Sequence, residues 1–269
     1  MNIFQRLQRY CHNYLFIVLL QLIILSLLLS RELREPPSCS NTPLYNNLPT
    51  LTKTKSEFSL TQLDKKYHTS KGRVHQYTRF YEHYLNKYRN TNFRLLEIGL
   101  GCGMSWGVGV SAAMWREYFG STADIHFLEY DKECGEKWLK QRGQQLNITM
   151  HYGSQEDETF LRSFANDFRN TFDVIIDDGG HRMIQQINSL TILFPTALRS
   201  SGIYAIEDIY TSYLTEYDGG YLKSSTLVEF LKRLIDDTQS KSPTYKNSTL
   251  GQYLYSFEIS DKICLFTKK

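Results

Sequence analysis

Between Phe93 and Asp208 the chain alternates short β-branched runs with longer amphipathic ones, and this restricts its fold more than any other feature. Strand-like pieces are "FRLLEIGL" (Phe93 to Leu100), "ADIHFLEYD" (Ala123 to Asp131), "ITMHYGS" (Ile148 to Ser154), "FDVIID" (Phe172 to Asp177) and "GIYAIED" (Gly202 to Asp208). Between them lie helix-like pieces, "SAAMWREYF", "CGEKWLKQRGQQL", "ETFLRSFANDF" and "RMIQQINSLTILF". Strands separated by helices must run parallel and be joined by right-handed crossovers, so helices cover both faces of one sheet. The expectation is a doubly wound α/β domain with a mostly parallel sheet. The last pieces, "LYSFEIS" and "KICLFTK", flank Asp261-Lys262 and predict an antiparallel finish.

In such a sheet, ligands sit just outside the carboxyl ends of the strands. Three strand ends carry unusual chemistry there. "FDVIIDDGGH" empties a buried run into Asp177, Asp178, two glycines and His181; "GIYAIED" ends in Glu207 and Asp208; "HFLEYD" ends in Glu129, with Asp131 beyond it. A turn is the simpler reading of Asp and Gly, and a capping role the simpler reading of the Glu-Asp pair. The first strand runs into "LLEIGLGCGMSWG", with Glu97, Gly99, Gly101 and Gly103. Glycines after a strand let a ligand approach the backbone, and their spacing does not match the G-x-G-x-x-G dinucleotide pattern. Glu129 stands where an acid accepts ribose hydroxyls in doubly wound domains.

Outside this region the chain changes character. Tyr14 to Leu29 is apolar except for Gln21 and Ser26, about the shortest helix that spans a bilayer. "SLLLSREL" lacks a small-x-small cleavage pattern, which favours an uncleaved anchor over a signal peptide. The division expected is a tail (1–12), a transmembrane anchor (13–30), a Pro-, Ser- and Asn-rich flexible stem (31–59) and one domain (60–269). Arg6 and Arg9 before the span are matched by Arg31 and Arg34 after it, so charge barely orients it. The sequons at Asn147 and Asn247 favour a type II arrangement with the domain in the ER or Golgi lumen, the reverse topology being the alternative. Five cysteines without C-x-x-C spacing give no zinc site and no clear disulfide framework. With 31 basic against 28 acidic side chains there is no nucleic-acid footprint.

Acid-G-x-G-x-G is similar to the first motif of class I S-adenosylmethionine-dependent methyltransferases. "KKYHTSKGRVHQYTRFYEHYL", "LLEIGLGCG", "MWREYF", "FDVIIDDGGH" and "GIYAIEDIYTSY" follow in the order seen in the macrolide sugar O-methyltransferase (mycinamicin and macrocin) group. The chain resembles that group, and fungal methyltransferase-domain proteins, from about Leu60 to Lys269. The resemblance implies a Rossmann-like methyltransferase fold and O-methyl transfer from S-adenosyl-L-methionine to a hydroxyl of a glycan or glycosylated metabolite, with Mg²⁺. It implies cofactor contacts at Glu97, Gly99, Gly101, Gly103, Glu129, Ser154, Gln155 and Asp177, metal ligation by Asp178 and Asp208, and His181 as general base. Glu207 and Asp177 take auxiliary places beside the metal, and the group often forms homo-oligomers. His75 and Tyr77 are candidates to cover the cofactor, and Tyr210, Tyr213, Tyr217 and Tyr221 to line an acceptor groove. Two departures stand out: the insertion "WGVGVSA", and Ser70 in "HTSKG" where the group carries an acid. The rival readings are an inactive cofactor-binding scaffold at a membrane and a hydroxylase-type enzyme on the same scaffold.

Overall fold

The structure, a computed structural model, describes residues 58–105, 107–240, 242 and 248–269. The expected tail and anchor, nearly all of the stem, Trp106 and the sequon at Asn247 lie outside these residues. No helix among the described residues is long and apolar enough to cross a membrane.

Seven strands form one sheet in the order β3-β2-β1-β4-β5-β7-β6. They are β1 (Arg94–Ile98), β2 (Asp124–Glu129), β3 (Ile148–Tyr152), β4 (Phe172–Asp177), β5 (Leu198–Ile206), β6 (Leu254–Ser260) and β7 (Ile263–Lys268). The first five are parallel; β7 inserts antiparallel between β5 and β6, closing the sheet as the final segments predicted. Three helices precede the sheet, α1 (Leu60–Tyr67), α2 (Ser70–Arg73) and α3 (Tyr77–Leu85). The others are α4 (Val110–Phe119), α5 (Lys132–Trp138), α6 (Glu158–Asp167), α7 (Met183–Thr196) and α8 (Leu227–Gln239).

Alternate strand residues feed two separate cores, the consequence of a side-chain period of two in a sheet covered on both faces. Leu95, Ile125, Phe127, Val174 and Ile176 pack with Leu63, Tyr81, Trp115 and Phe119 of the α1, α3 and α4 layer. Leu96, Leu128, Ile175 and Tyr204 pack with Phe164, Leu193 and Leu231 of the α6, α7 and α8 layer. Burying one such aliphatic side chain is worth about 1.5–3 kcal/mol. A buried charge in these layers is matched by backbone: the Arg116 guanidinium, 1 % exposed, donates to the carbonyls of Leu146, Gly120, Ala123 and Asn147.

One expectation about cysteines is corrected. Cys102, in the glycine-rich loop after β1, is disulfide-bonded to Cys134 on α5, with Cα atoms 6.2 Å apart. The two are 32 residues apart, too far for any local spacing rule to pair them. They meet because β1 and β2 are neighbours and their following loops leave the sheet at the same end.

Candidate functional site

β1 pairs with β2 on one side and β4 on the other, all three parallel, so the order in which strands are added to the sheet reverses between β1 and β4. At the carboxyl ends of these strands a cavity encloses about 760 Å³, the place where doubly wound sheets bind ligands. Its wall takes Gly99 and Gly101 from the loop after β1, Glu129 from the end of β2, and Ser154 and Gln155 from the loop after β3. Asp178 and His181 follow β4, Asp208 follows β5, and Lys71 and His75 come from the helices before the sheet.

At the β2 end, Glu129 is 7 % exposed. Its Oε2 accepts from the Leu100 amide (2.8 Å) and its Oε1 from the Asp131 amide (2.8 Å), which fixes the carboxylate against the glycine-rich loop. Gly99 has φ +95°, and a Cβ there would stand 2.2 Å from the Asp178 carbonyl oxygen. Only glycine lets these two loops meet backbone to backbone. Gly103 has φ +81° but is open around its Cα and is not on the cavity wall, so the structure does not bring it to the cofactor position expected of it.

The β4 and β5 ends bring Asp178, His181 and Asp208 together. One potential ligand atom from each lies within 4.8 Å of the others. His181 Nε2 is 3.5 Å from Asp208 Oδ2 and 3.9 Å from Asp178 Oδ1. Both His181 (φ +58°) and Asp208 (φ +55°) are left-handed without being glycine. Such backbone is held only where the surroundings over-determine it, and it clusters at working sites.

Four expectations meet a different placement in the structure. Glu97 and Asp177 are fully buried and absent from the cavity wall. Both lie within strands, and their side chains enter the helix layers instead of the cavity. Glu97 Oε2 accepts from Trp115 Nε1 (2.7 Å), and burial pushes its carboxyl up to about 7 against the pull of Lys71. Asp177 accepts from Gln155 Nε2 (2.8 Å) and Tyr204 Oη (3.3 Å), and burial again outweighs these donors, raising it to about 7. Gln155 does reach the wall, but its amide is committed: Nε2 also donates to Ser189 Oγ (2.9 Å) and Oε1 accepts from the Gly180 amide (2.9 Å). It holds the Asp-Asp-Gly-Gly turn rather than offering its amide to a ligand. Of the four tyrosines, Tyr210 and Tyr217 line the cavity, whereas Tyr213 and Tyr221 are exposed elsewhere.

Lys71 carried no expected role, yet its ammonium is 2 % exposed and central. It reaches Asp178 Oδ2 (2.6 Å), Glu207 Oε1 (2.6 Å) and Glu97 Oε1 (3.2 Å). Burial alone would lower its pKa, but the Asp178, Glu207 and Glu97 carboxylates hold it well above the usual lysine range. Tyr81 Oη donates to the same Glu207 oxygen (2.7 Å), and burial together with the Glu207 charge raises that phenol. Tyr77, expected over the cofactor, instead donates to Asp208 Oδ1 (2.5 Å), with His75 stacked on it at 5.1 Å. The one hint in the sequence was the Tyr77 and Tyr81 spacing, four apart on one helix face.

This donor set fits a hard divalent cation. Asp178 and Asp208 offer carboxylate oxygens from two strand ends, and the single buried Lys71 ammonium is shared among Glu97, Asp178 and Glu207 and does not reach Asp208, leaving surplus negative charge.

No family model matches the chain. It is 32 % identical over 213 residues to the mycinamicin VI 2''-O-methyltransferase of Micromonospora griseorubida, covering 73 % of this chain and 50 % of that protein. It is 30 % identical over 217 residues to the demethylmacrocin O-methyltransferase of Streptomyces fradiae, covering 75 % and 52 %. The MycE methyltransferase of the mycinamycin pathway, solved in complex with Mg, SAH and mycinamycin VI, superposes with a TM-score of 0.65 at 28 % identity, over 79 % of this chain and 55 % of that one. The domain therefore has the class I S-adenosylmethionine-dependent methyltransferase fold. Within that class it resembles the macrolide sugar O-methyltransferases, and it spans about half the length of the curated relatives it matches.

Proposed function

We propose that this protein transfers a methyl group from S-adenosyl-L-methionine to a hydroxyl of a glycosylated acceptor, assisted by Mg²⁺. One observation carries the reading: a single cavity has Gly99, Gly101 and Glu129 on its wall together with Asp178, His181 and Asp208. The first group suits a nucleoside cofactor and the second a cation and a proton transfer.

Methyl transfer from a sulfonium is an in-line displacement, so the acceptor oxygen must be held against the methyl carbon while its proton leaves. The Glu129 carboxylate, fixed by two backbone amides, accepts the ribose hydroxyls with its remaining lone pairs. The backbone of Gly99 and Gly101, on the cavity wall, would lie against the cofactor. Asp178 and Asp208 would hold Mg²⁺, which when bound would supply Lewis acidity that lowers the pKa of a hydroxyl. His181 takes the proton at Nε2, the ring nitrogen that faces both carboxylates. Tyr210 and Tyr217 offer aromatic faces to the sugar ring.

The reading extends to the compartment. We place the domain on the luminal side of a single-pass anchor formed by the apolar run from Tyr14 to Leu29. The Cys102 to Cys134 disulfide supports an oxidising environment, because such bridges persist there and are rare in the cytosol. Asn147, exposed at the start of β3, is available to a glycosyl transferase.

The test is His181→Ala, with labelled methyl followed from S-adenosylmethionine into a panel of glycosides. Transfer should fall by about 10²–10⁴-fold while cofactor affinity stays at wild type; an unchanged rate removes His181 from the mechanism.

A further inference from the structure

Two of the carboxylates at the cavity are held in the same way from the same direction. Asp178 gives its Oδ2 to Lys71 Nζ (2.6 Å), and its Oδ1 is the oxygen nearest His181. Asp208 gives its Oδ1 to Tyr77 Oη (2.5 Å), and its Oδ2 is the oxygen nearest His181. Both donors come from the helical segment before the sheet, and each takes the oxygen turned away from the imidazole.

We propose that Lys71 and Tyr77 are positioning residues for the cation site: each clamps one oxygen of its carboxylate so that the other converges with its counterpart beside His181. This rests on the Mg²⁺ reading above and deepens it. A carboxylate has two oxygens and a freely turning terminal torsion, so two acids on separate loops share no preferred direction of their own. An ammonium or phenol fixed on one oxygen removes that freedom.

The donors are themselves fixed. The Asp64 carboxylate, 2 % exposed, accepts from Thr69 Oγ1 (2.5 Å) and from the amides of Gly72 (2.8 Å) and Arg73 (3.0 Å), which pins α2 and the Lys71 backbone. A Cβ on Gly72 would meet the Asp64 side chain at 2.5 Å, so the clamp closes only on glycine. Tyr77 is 1 % exposed and opens α3, its ring stacked on His75. Lys71 also joins the ends of three neighbouring strands through Glu97, Asp178 and Glu207, so its position reports on β1, β4 and β5 at once.

Removing Lys71 alone changes the local charge as well as the geometry. The test therefore uses the pair Lys71→Met with Glu97→Gln, which removes the ammonium together with one of its three carboxyl partners, and separately Tyr77→Phe, which removes no charge. Mn²⁺ binding to the full-length protein is read by electron paramagnetic resonance, and S-adenosylmethionine binding by calorimetry. The expected result is Mn²⁺ affinity at least tenfold weaker in the double variant and about three- to fivefold weaker in Tyr77→Phe, with cofactor affinity within twofold of wild type in both. If the double variant does not fold, Tyr77→Phe decides. Wild-type Mn²⁺ affinity in the variants overturns the clamp while leaving the Mg²⁺ reading intact, as does an equal loss of Mn²⁺ and cofactor binding, which marks general damage. A wild-type protein that binds no Mn²⁺ overturns the Mg²⁺ reading, and the clamp with it.

Discussion

Gly99→Ala separates the packing of the two loops from a generic glycine effect, because Gly103 supplies its own control. Both residues sit at positive φ, +95° and +81°, so an alanine at either position carries a backbone penalty of about 1–3 kcal/mol. Only at Gly99 does the added Cβ collide, standing 2.2 Å from the Asp178 carbonyl oxygen and 2.9 Å from its carbonyl carbon; at Gly103 nothing lies within 4 Å. Ordinary contact needs more than an ångström of extra room. The obstacle is backbone, so the turn after β4 must move or the variant must absorb an overpacking cost of about 1–3 kcal/mol beyond the φ penalty. The total of about 2–6 kcal/mol corresponds to a Tm fall of roughly 5–20 °C for a domain of this size. Gly103→Ala should lose only the smaller part. Because the displaced turn carries Asp178 and His181, methyl transfer in Gly99→Ala should fall by about a hundredfold even below its Tm. Thermal melts of the two variants, with labelled methyl transfer, make the comparison. If Gly99→Ala melts within a degree or two of Gly103→Ala and keeps its rate, the two loops are not packed as described.

Asp177→Asn should flatten the pH dependence of stability. Burial raises the Asp177 carboxyl from 3.8 to about 7, so between those values the folded form holds a proton that the unfolded chain releases. Stability is therefore lost as pH rises through that window, by up to about 1.4 kcal/mol per pH unit; the substituted amide titrates in neither state, and denaturant melts from pH 4 to 8 should show a shallower slope. An unchanged slope would mean that Asp177 is not the buried acid described, Glu97 contributing with the same sign. Gln155→Ala removes donors from Asp177 and Ser189 and the acceptor for the Gly180 amide, and should cost about 2–4 kcal/mol by chemical denaturation; a loss under 1 kcal/mol would show that the turn holds its own shape. Cys134→Ser, which opens the bridge to the glycine-rich loop, should lower stability by about 2–4 kcal/mol, and identical melts of wild type with and without reductant would contradict it.

The sheet and the acids past its strand ends were legible because both depend on local pattern. Val174, Ile175 and Ile176 mark a buried strand by composition, and Asp178, His181 and Asp208 follow from knowing that ligands gather where such strands stop. What was illegible depends on direction and on distant partners. Glu97 and Asp177 belong to the expected motifs, but the side-chain period of two turns them into helix layers, and one residue of register separates Asp177 from the cavity that Asp178 faces. Lys71, between Ser70 and Gly72 in "HTSKG", carries no signal of its own in the sequence. Its carboxylate partners Asp178 and Glu207 lie 107 and 136 positions away, so only the packed sheet reveals them. The Cys102 to Cys134 pairing was hidden for the same reason.

That one cavity holds S-adenosylmethionine against a cation site is the central claim. Calorimetric titration of S-adenosylmethionine into the full-length protein, with and without Mg²⁺ and repeated on Glu129→Ala, tests it most directly. Saturable one-to-one binding in the wild type, weakened at least tenfold by Glu129→Ala, is the result predicted. A folded wild-type protein that shows no binding under either condition, or that binds equally well without the Glu129 carboxylate, would contradict it.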